Sequence, residues 1–514
     1  MTADAAPSGP ATTPTIATDP SGRVEVEVDA FPGKAPVRIK LGAGAPFGWA
    51  PAITLGLVAL VDRADSALLG GVLEDLQNDF GFSDSVAGLL LSASSIAALL
   101  LVVPAGRLAD TRKRTTLISV VIFTWGVLTF GAAAAPTFAL FFLARVLLGI
   151  ATPLTIPASA SLAGDFYPTR IRTKAFAILR VMEYLGFPLG VLVGGVASQV
   201  WGWRAAFLIM GVPAMLLAAF VAVRLREPRR GVADELTAMA VAAGIDTETV
   251  PEPMAEESFA TTLDPGDPIN VANAEVIDPI KPSIRKSISD VLKIRTLRYV
   301  IFGQALLFAG FAGLFAWATI YFQRVHDLEA GAAAAITGGV GLAGLLAGGA
   351  LASRIGDRGH GIRPAWRVTV GAYCLLFAAI GVAGFAIVDS LPVQIAFYFA
   401  VNFFNIIALA SLGAATTDVI PASIRGTGFA VAQFLVTIGS ASGALIVGTT
   451  SDFVIKRIGE GATDAAEATG VRYGVGALVV LLFIGALLIF RARRSYEADA
   501  ARVFDDVEID ALKE

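Results

Sequence analysis

Asp62, Arg63 and Asp65 stand inside a stretch, Trp49 to Gly71, that is otherwise apolar. The stretch is long enough to cross a bilayer, which takes about 20 residues. An ionised side chain at mid-membrane costs at least ~2.5–3.5 kcal/mol on insertion scales, so it normally faces a partner or a watery cavity. Asp62 and Asp65 are one helical turn apart and share a face, while Arg63 lies about 100° around the axis. The readings are a functional site, a structural ion pair, or a helix end that places all three in the headgroup region. The chemistry at hand is proton carriage, because burial favours the neutral form of a carboxyl group and a nearby arginine its charged form. Asp62 is the first candidate for proton carrier, with Arg63 or Arg145 as counter-charge. Glu183 and Arg180 are one turn apart in another apolar stretch. They read as a local pair, or Glu183 as a second titrating carboxylate. Arg145 lies on an otherwise apolar segment, where it serves either packing or substrate contact. Tyr184, Gln304, Asn402, Asn405 and Gln433 are uncharged polar residues inside apolar segments. Each suits a substrate headgroup contact or a helix–helix hydrogen bond.

Across the chain, 55% of the 514 residues are hydrophobic and 16% are charged. Mean hydropathy is +0.70. Soluble domains carry about 25% charged residues, so the composition is that of a multi-span membrane protein. Cys374 is the one cysteine, which excludes an internal disulfide and a cysteine metal cluster. With His326 and His360 as the two histidines, a histidine metal centre is not expected either. No Gly-Lys phosphate loop follows a strand, so an ATP-driven pump is not expected. No nucleophile–base constellation points to an enzyme. No cofactor and no nucleic-acid partner are expected.

Twelve apolar segments can be counted, near 50–70, 85–105, 116–135, 138–163, 174–199, 204–225, 299–322, 332–353, 365–388, 392–416, 427–453 and 472–490. They define a six-helix bundle over 49–225 and another over 298–491. The stretch 226–297 between them reads as a polar linker with a short amphipathic helix near Ile284–Leu297. Residues 1–48 lack an apolar core and read as a disordered tail without a signal peptide, although Val24-Glu-Val-Glu-Val28 alternates like a strand. Residues 492–514 form a C-terminal tail. Lys and Arg crowd the loops on one side, among them Arg107, Arg112, Lys113, Arg114, Arg170, Arg172, Arg354, Arg358 and Arg425, against Arg204, Arg324, Lys456, Arg457 and Arg472 opposite. The richer side is expected to be cytoplasmic, with both termini and the linker.

The halves repeat. Residues 165–177, DFYPTRIRTKAFA, and 418–430, DVIPASIRGTGFA, share D-x-x-P-x-x-I-R-x-x-x-F-A. This marks Asp165, Arg172, Asp418 and Arg425 as candidates for conformational gating. Duplicated transporter bundles put the substrate near mid-membrane and rock one half against the other. The steps Gly190/Gly194, Gly344/Gly348 and Gly439/Gly443 read as tight packing within a monomer, ahead of dimerisation.

GRLADTRKR at 106–114 resembles the signature loop between the second and third helices of the major facilitator superfamily, and Arg145-Val-Leu-Leu-Gly149 its fourth-helix pattern. That resemblance implies an all-α membrane fold of twelve helices in two pseudo-symmetric bundles. Gly106 then allows close backbone approach, and Asp110 latches the eleventh span near Gly426–Gly428. Arg112 and its neighbours sit at the anionic inner leaflet, or serve topology alone. A narrower resemblance, carried by Asp62-Arg63, Gly71-Val-Leu, Asp84-Ser85, Arg145 and Arg226-Glu-Pro-Arg-Arg-Gly231, is to the spinster family of lipid transporters. It implies proton-linked movement of lysolipids or similar amphiphiles, with membrane lipids and protons as partners. One departure is plain: the family's fourth-helix glutamate falls on Thr152. The rivals are a multidrug or small organic anion carrier, and a non-transporting receptor or scaffold.

Overall fold

The computed structural model describes residues 15–18, 24–32, 34–40, 45–242, 291–358, 365–420, 425–458 and 464–511. The helices are α1 (Ala50–Phe80), α2 (Asp84–Thr111), α3 (Arg114–Ala133), α4 (Phe138–Ala151), α5 (Thr155–Phe166), α6 (Thr169–Trp201), α7 (Trp203–Arg224), α8 (Val232–Ala242), α9 (Arg295–His326), α10 (Ala330–Arg358), α11 (Trp366–Ile387), α12 (Leu391–Asp418), α13 (Arg425–Ile458) and α14 (Asp464–Ala511). Thr152–Leu154 is a single 3₁₀ turn joining α4 to α5 into one fourth span. Pro153 has no amide to donate there, which breaks the α-helical ladder.

Ten helices among the described residues are long and apolar enough to cross a membrane. The first span is too charged to join them by composition, and in α2 the search took in Asp84–Leu99, which is apolar. With α1 and α2 the described residues form twelve spans in two bundles of six. α1 runs ten residues beyond the expected 50–70. Glu74 to Asp79, outside the expected bounds of the first span, therefore form its last two turns. Gly81, in the left-handed region at φ 67°, ends it by donating its amide to the Gln77 carbonyl.

Each bundle is cemented by glycines at matching places in the repeat. With Asp165 aligned on Asp418, Gly186 and Gly190 of α6 fall opposite Gly439 and Gly443 of α13. A Cβ on Gly186 would lie 2.5 Å from the Leu60 carbonyl oxygen of α1, and one on Gly190 would strike that of Ala64. A Cβ on Gly439 or Gly443 would strike the Ala305 and Ala309 carbonyls of α9. The bundles therefore bring their first and fifth helices to backbone contact. Gly344 and Gly348 pack likewise on Phe399 and Phe403 of α12, as a within-bundle role requires.

Residues 15–40, expected as part of a disordered tail, instead hold an antiparallel sheet. Strands β1 (Thr15–Thr18), β2 (Val24–Val28) and β3 (Val37–Lys40) lie in that order, with Val26 opposite Ile39. Val26, Val28 and Ile39 are buried in one cluster with Phe166 and Tyr167 of the N-terminal bundle and Val232 and Leu236 of α8. The Arg229 amide donates to the Ala30 carbonyl at 2.8 Å. The alternating Val/Glu pattern thus buries its valine face in a cluster that also takes in α8, an element inside the expected linker. The expected amphipathic helix near Ile284–Leu297 lies outside the described residues up to 290. Val291–Lys293 is one helical turn before α9.

Candidate functional site

α1 divides its three charges between two networks. Asp65 accepts from Arg145 Nη1 at 3.0 Å and from the Thr129 hydroxyl at 3.0 Å, and its carbonyl accepts from Arg145 Nη2 at 3.2 Å. Arg145 is 1% exposed and lies 5.7 Å from the Phe207 ring centre. This is a sealed pin between α1, α3 and α4.

Asp62 belongs to the other network. It is buried, its Oδ1 has no hydrogen-bond partner, and the Thr152 hydroxyl faces it from the α4–α5 break. Its charged neighbours are Arg63, Glu183 and Asp65. Arg63 donates to Glu183 Oε1 through Nε at 3.0 Å and Nη2 at 2.8 Å. Arg180 donates to the other oxygen of Glu183 at 2.8 Å. This pair keeps contact with the surroundings: the Arg63 side chain is 28% exposed and that of Arg180 64%. Tyr184 lies half-buried beside the same three charges. Arg63 also stands 5.7 Å from the Phe187 ring centre, and Phe187 meets Phe315 edge-on at 5.6 Å. Phe315 belongs to α9, so this aromatic pair spans the two bundles. Asp62, Arg63, Glu183 and Tyr184, singled out separately in the sequence, thus lie together, and Arg145, offered as a counter-charge for Asp62, stands apart from them on Asp65.

The polar residues of the C-terminal bundle do not converge on this site through any hydrogen bond among the described residues. Gln304 Nε2 donates to the Thr416 hydroxyl at 3.5 Å. Asn402 Nδ2 donates to the Tyr398 carbonyl at 2.8 Å, and Asn402 Oδ1 has no partner. Asn405 is buried and Gln433 exposed.

Of the gating candidates, Asp165 pairs with Arg114 and accepts from the Gly231 amide at 2.9 Å. Arg114, 1% exposed, also donates to Glu227 at 2.8 Å and to Ser161 at 2.7 Å. The second oxygen of Glu227 accepts from the Thr115 amide at 2.8 Å. Burial alone would raise the Glu227 pKa, but the Thr115 amide and the Arg114 guanidinium outweigh it and hold the carboxyl below its ordinary range. Arg172 donates to the Gly164 carbonyl at 3.0 Å and to Asp234 at 2.6 Å. Arg112 is exposed. The side-chain surroundings of Gly106, Asp110, Asp418 and Arg425 lie outside the described residues.

At the end of the molecule opposite the termini the bundles meet through Arg324. It donates to both oxygens of Asp84 at 3.0 and 2.9 Å, to Glu74 at 2.9 Å and to Gln77 at 3.1 Å. The composition held one hint of this: acidic Glu74 to Asp84 lack any Lys or Arg, and Arg324 is among the few cations on that side.

The sequence pattern of the Major Facilitator Superfamily matches residues 55–444. The chain belongs to that superfamily, and its helices are those of a multi-pass membrane protein. Its fold is that of a bacterial homologue of the human lysosomal transporter Spinster, solved inward-facing and unoccupied: TM-score 0.69, 21% identity, covering 88% of this chain and 98% of that one. Curated relatives include the sphingosine-1-phosphate transporter SPNS2 of Mus musculus, 29% identical over 36% of this chain and 34% of that protein. They also include the 4-hydroxybenzoate transporter PcaK of Pseudomonas aeruginosa, 24% identical over 40% of this chain and 44% of that protein. The chain thus spans less than half the length of the curated relatives it matches.

Proposed function

We propose that the protein is a proton-coupled secondary-active transporter of lysolipids or similar amphiphiles, working by alternating access. The observation that carries this is the buried Asp62 carboxyl, one oxygen without a partner, beside an Arg63–Glu183 pair that keeps partial exposure. Asp62 and Glu183 are the proton-coupling groups and Arg63 is the contact for an anionic headgroup. A proton on Glu183 cancels the charge that holds Arg63 and releases the guanidinium to the cargo. Loss of the proton reclaims it. Proton and anion then bind together, as coupling by differential affinity requires. Phe187 and Phe315 offer an apolar wall next to the headgroup contact. Tyr184 joins the headgroup site, and Arg145, Gln304, Asn402, Asn405 and Gln433 remain candidates for contact in other states of the cycle. Gly106, Asp110, Arg112, Asp165, Arg172, Asp418 and Arg425 are proposed to gate the change. The excess of Lys and Arg on one side favours a cytoplasmic-membrane protein with both termini cytoplasmic. A monomer is the proposed unit.

A second reading, a carrier of small organic anions, is favoured by the relatives that carry 4-hydroxybenzoate and galactarate or D-glucarate. Arg63 suits their carboxylates equally. The test is flux in proteoliposomes under an imposed pH gradient, with a lysolipid and with 4-hydroxybenzoate. Proton-driven lysolipid flux, lost in Asp62→Asn, supports the first reading, and flux of the small anion alone selects the second. Absence of any pH-driven flux from the folded wild-type protein overturns both and leaves a receptor or scaffold.

A further inference from the structure

The end of the molecule opposite the termini is sealed by helix caps exchanged between the bundles. The α2 amides of Asp84 and Ser85 donate to the two oxygens of Asp452, on α13, each at 3.0 Å. Ser83 occupies the N-cap position of α2 with extended backbone (φ −79°, ψ 167°), the geometry of a capping serine, yet makes no side-chain cap bond. Its hydroxyl lies beside the Asp452 carboxylate. The Ser451 hydroxyl donates to Asp84 at 2.5 Å.

The other bundle returns the arrangement at the same register. Aligning Asp165 on Asp418 brings Gln199 opposite Asp452, Ser198 opposite Ser451, and Gly195 opposite Gly448. Gln199 Oε1 accepts from the Gly331 amide in the first turn of α10 at 2.9 Å, and its Nε2 contacts Glu329, the residue before that helix. Gly195 lets the Ala330 backbone approach, as Gly448 does for Asp84. Each fifth helix therefore caps the second helix of the opposite bundle.

We infer that this seal is a two-position cap switch: Asp452 caps α2 while the bundles are closed at this end, and Ser83 takes over when they part. An uncapped helix start leaves amides without partners. A local substitute makes parting cheaper and gives the helix two defined states in place of one closed state and a frayed one. Around this switch stand the charged groups Arg324, Glu74, Asp84 and Glu467, of which Arg324 draws all three carboxylates together. The switch lies remote from the proposed substrate site and needs no cargo to be observed.

The two caps have opposite effects on one equilibrium. Spin labels at the exposed residues Asn78 and Ser390, in a Cys374→Ala background in lipid nanodiscs without substrate, report the separation of the bundles at this end. Asp452→Ala is expected to raise the open-to-closed ratio about fivefold to thirtyfold, the worth of one cap. Ser83→Ala removes a cap bond from the open state and only the contact of its hydroxyl with Asp452 from the closed one, so it is expected to lower that ratio by a smaller factor, and the double variant to return toward wild type. Gln199→Ala moves the ratio as Asp452→Ala does. An unchanged distribution in Asp452→Ala, or a shift of Ser83→Ala toward the open state, overturns the switch. Should Asp452→Ala fail to fold, Ser83→Ala alone decides, since its side chain makes no cap bond in the closed arrangement.

Discussion

The guanidinium of Arg145 is pinned to Asp65 at 3.0 Å, one turn away from Asp62. The two aspartates share a helix face yet stand in different chemistry. One is saturated by an arginine and a threonine; the other has an oxygen with no partner. This separates a residue that holds the bundle from one proposed to carry protons. Arg145→Met should leave the Asp65 carboxylate buried and uncompensated, at a cost of about 3–5 kcal/mol. Asp62→Asn should unfold near the wild-type temperature. Thermal unfolding of both variants, followed by tryptophan fluorescence, checks the contrast. Equal loss in both would remove the distinction.

Glu183 holds Arg63 by two hydrogen bonds to one oxygen. Glu183→Gln should weaken that hold and free the guanidinium. Affinity for an anionic amphiphile should then tighten on the order of tenfold, about the worth of one hydrogen bond to a charged group. The pH dependence of binding should flatten at the same time. Titrations of wild type and variant at several pH values measure both effects.

Glu227 ties the start of α3 to the segment after α7, and its carboxyl is held below the ordinary glutamate range by the Thr115 amide and Arg114 against the opposing effect of burial. A lowered folded-state pKa stabilises above the unfolded value, and the contribution disappears as pH falls through the folded one. Glu227→Gln should therefore lower stability at neutral pH by about 1–3 kcal/mol. The gap to wild type should close as the pH falls from the ordinary glutamate range downward. Melting temperatures between pH 7 and the acid limit of stability test this, and a constant gap would contradict it.

The small sheet rests on Val26, Val28 and Ile39, each almost wholly buried. Ile39→Asp puts an unpaired carboxylate into that apolar contact and should detach the sheet from α8. Proteolysis in the 15–40 segment should accelerate while the bundles remain folded. Unchanged protection would mean that the sheet is held by other contacts.

The spans were legible because bilayer crossing demands long apolar runs, and the repeat because both halves keep one spaced motif. The partner of Arg145 was not. Helical spacing gives the face on which Asp62 and Asp65 lie, but not which of two carboxylates a neighbouring helix presents its arginine to. The sheet escaped for a related reason. Val24 to Val28 showed the alternation of a strand, but the cluster that buries it draws on Phe166, Tyr167, Val232 and Leu236, far downstream in the sequence. The pairing of Glu227 and of Arg324 was not visible, because partners 113 and 240 positions apart in sequence leave no local pattern.

The glycine seats and the cap on α13 are set at fixed intervals along one rigid helix. Adding a single residue between Gly443 and Asp452 would turn the carboxylate about 100° around the axis, away from the amides it serves. The same holds between Gly190 and Gln199. These two segments therefore work as measuring rods, on which side chains are interchangeable within limits of size but length is not.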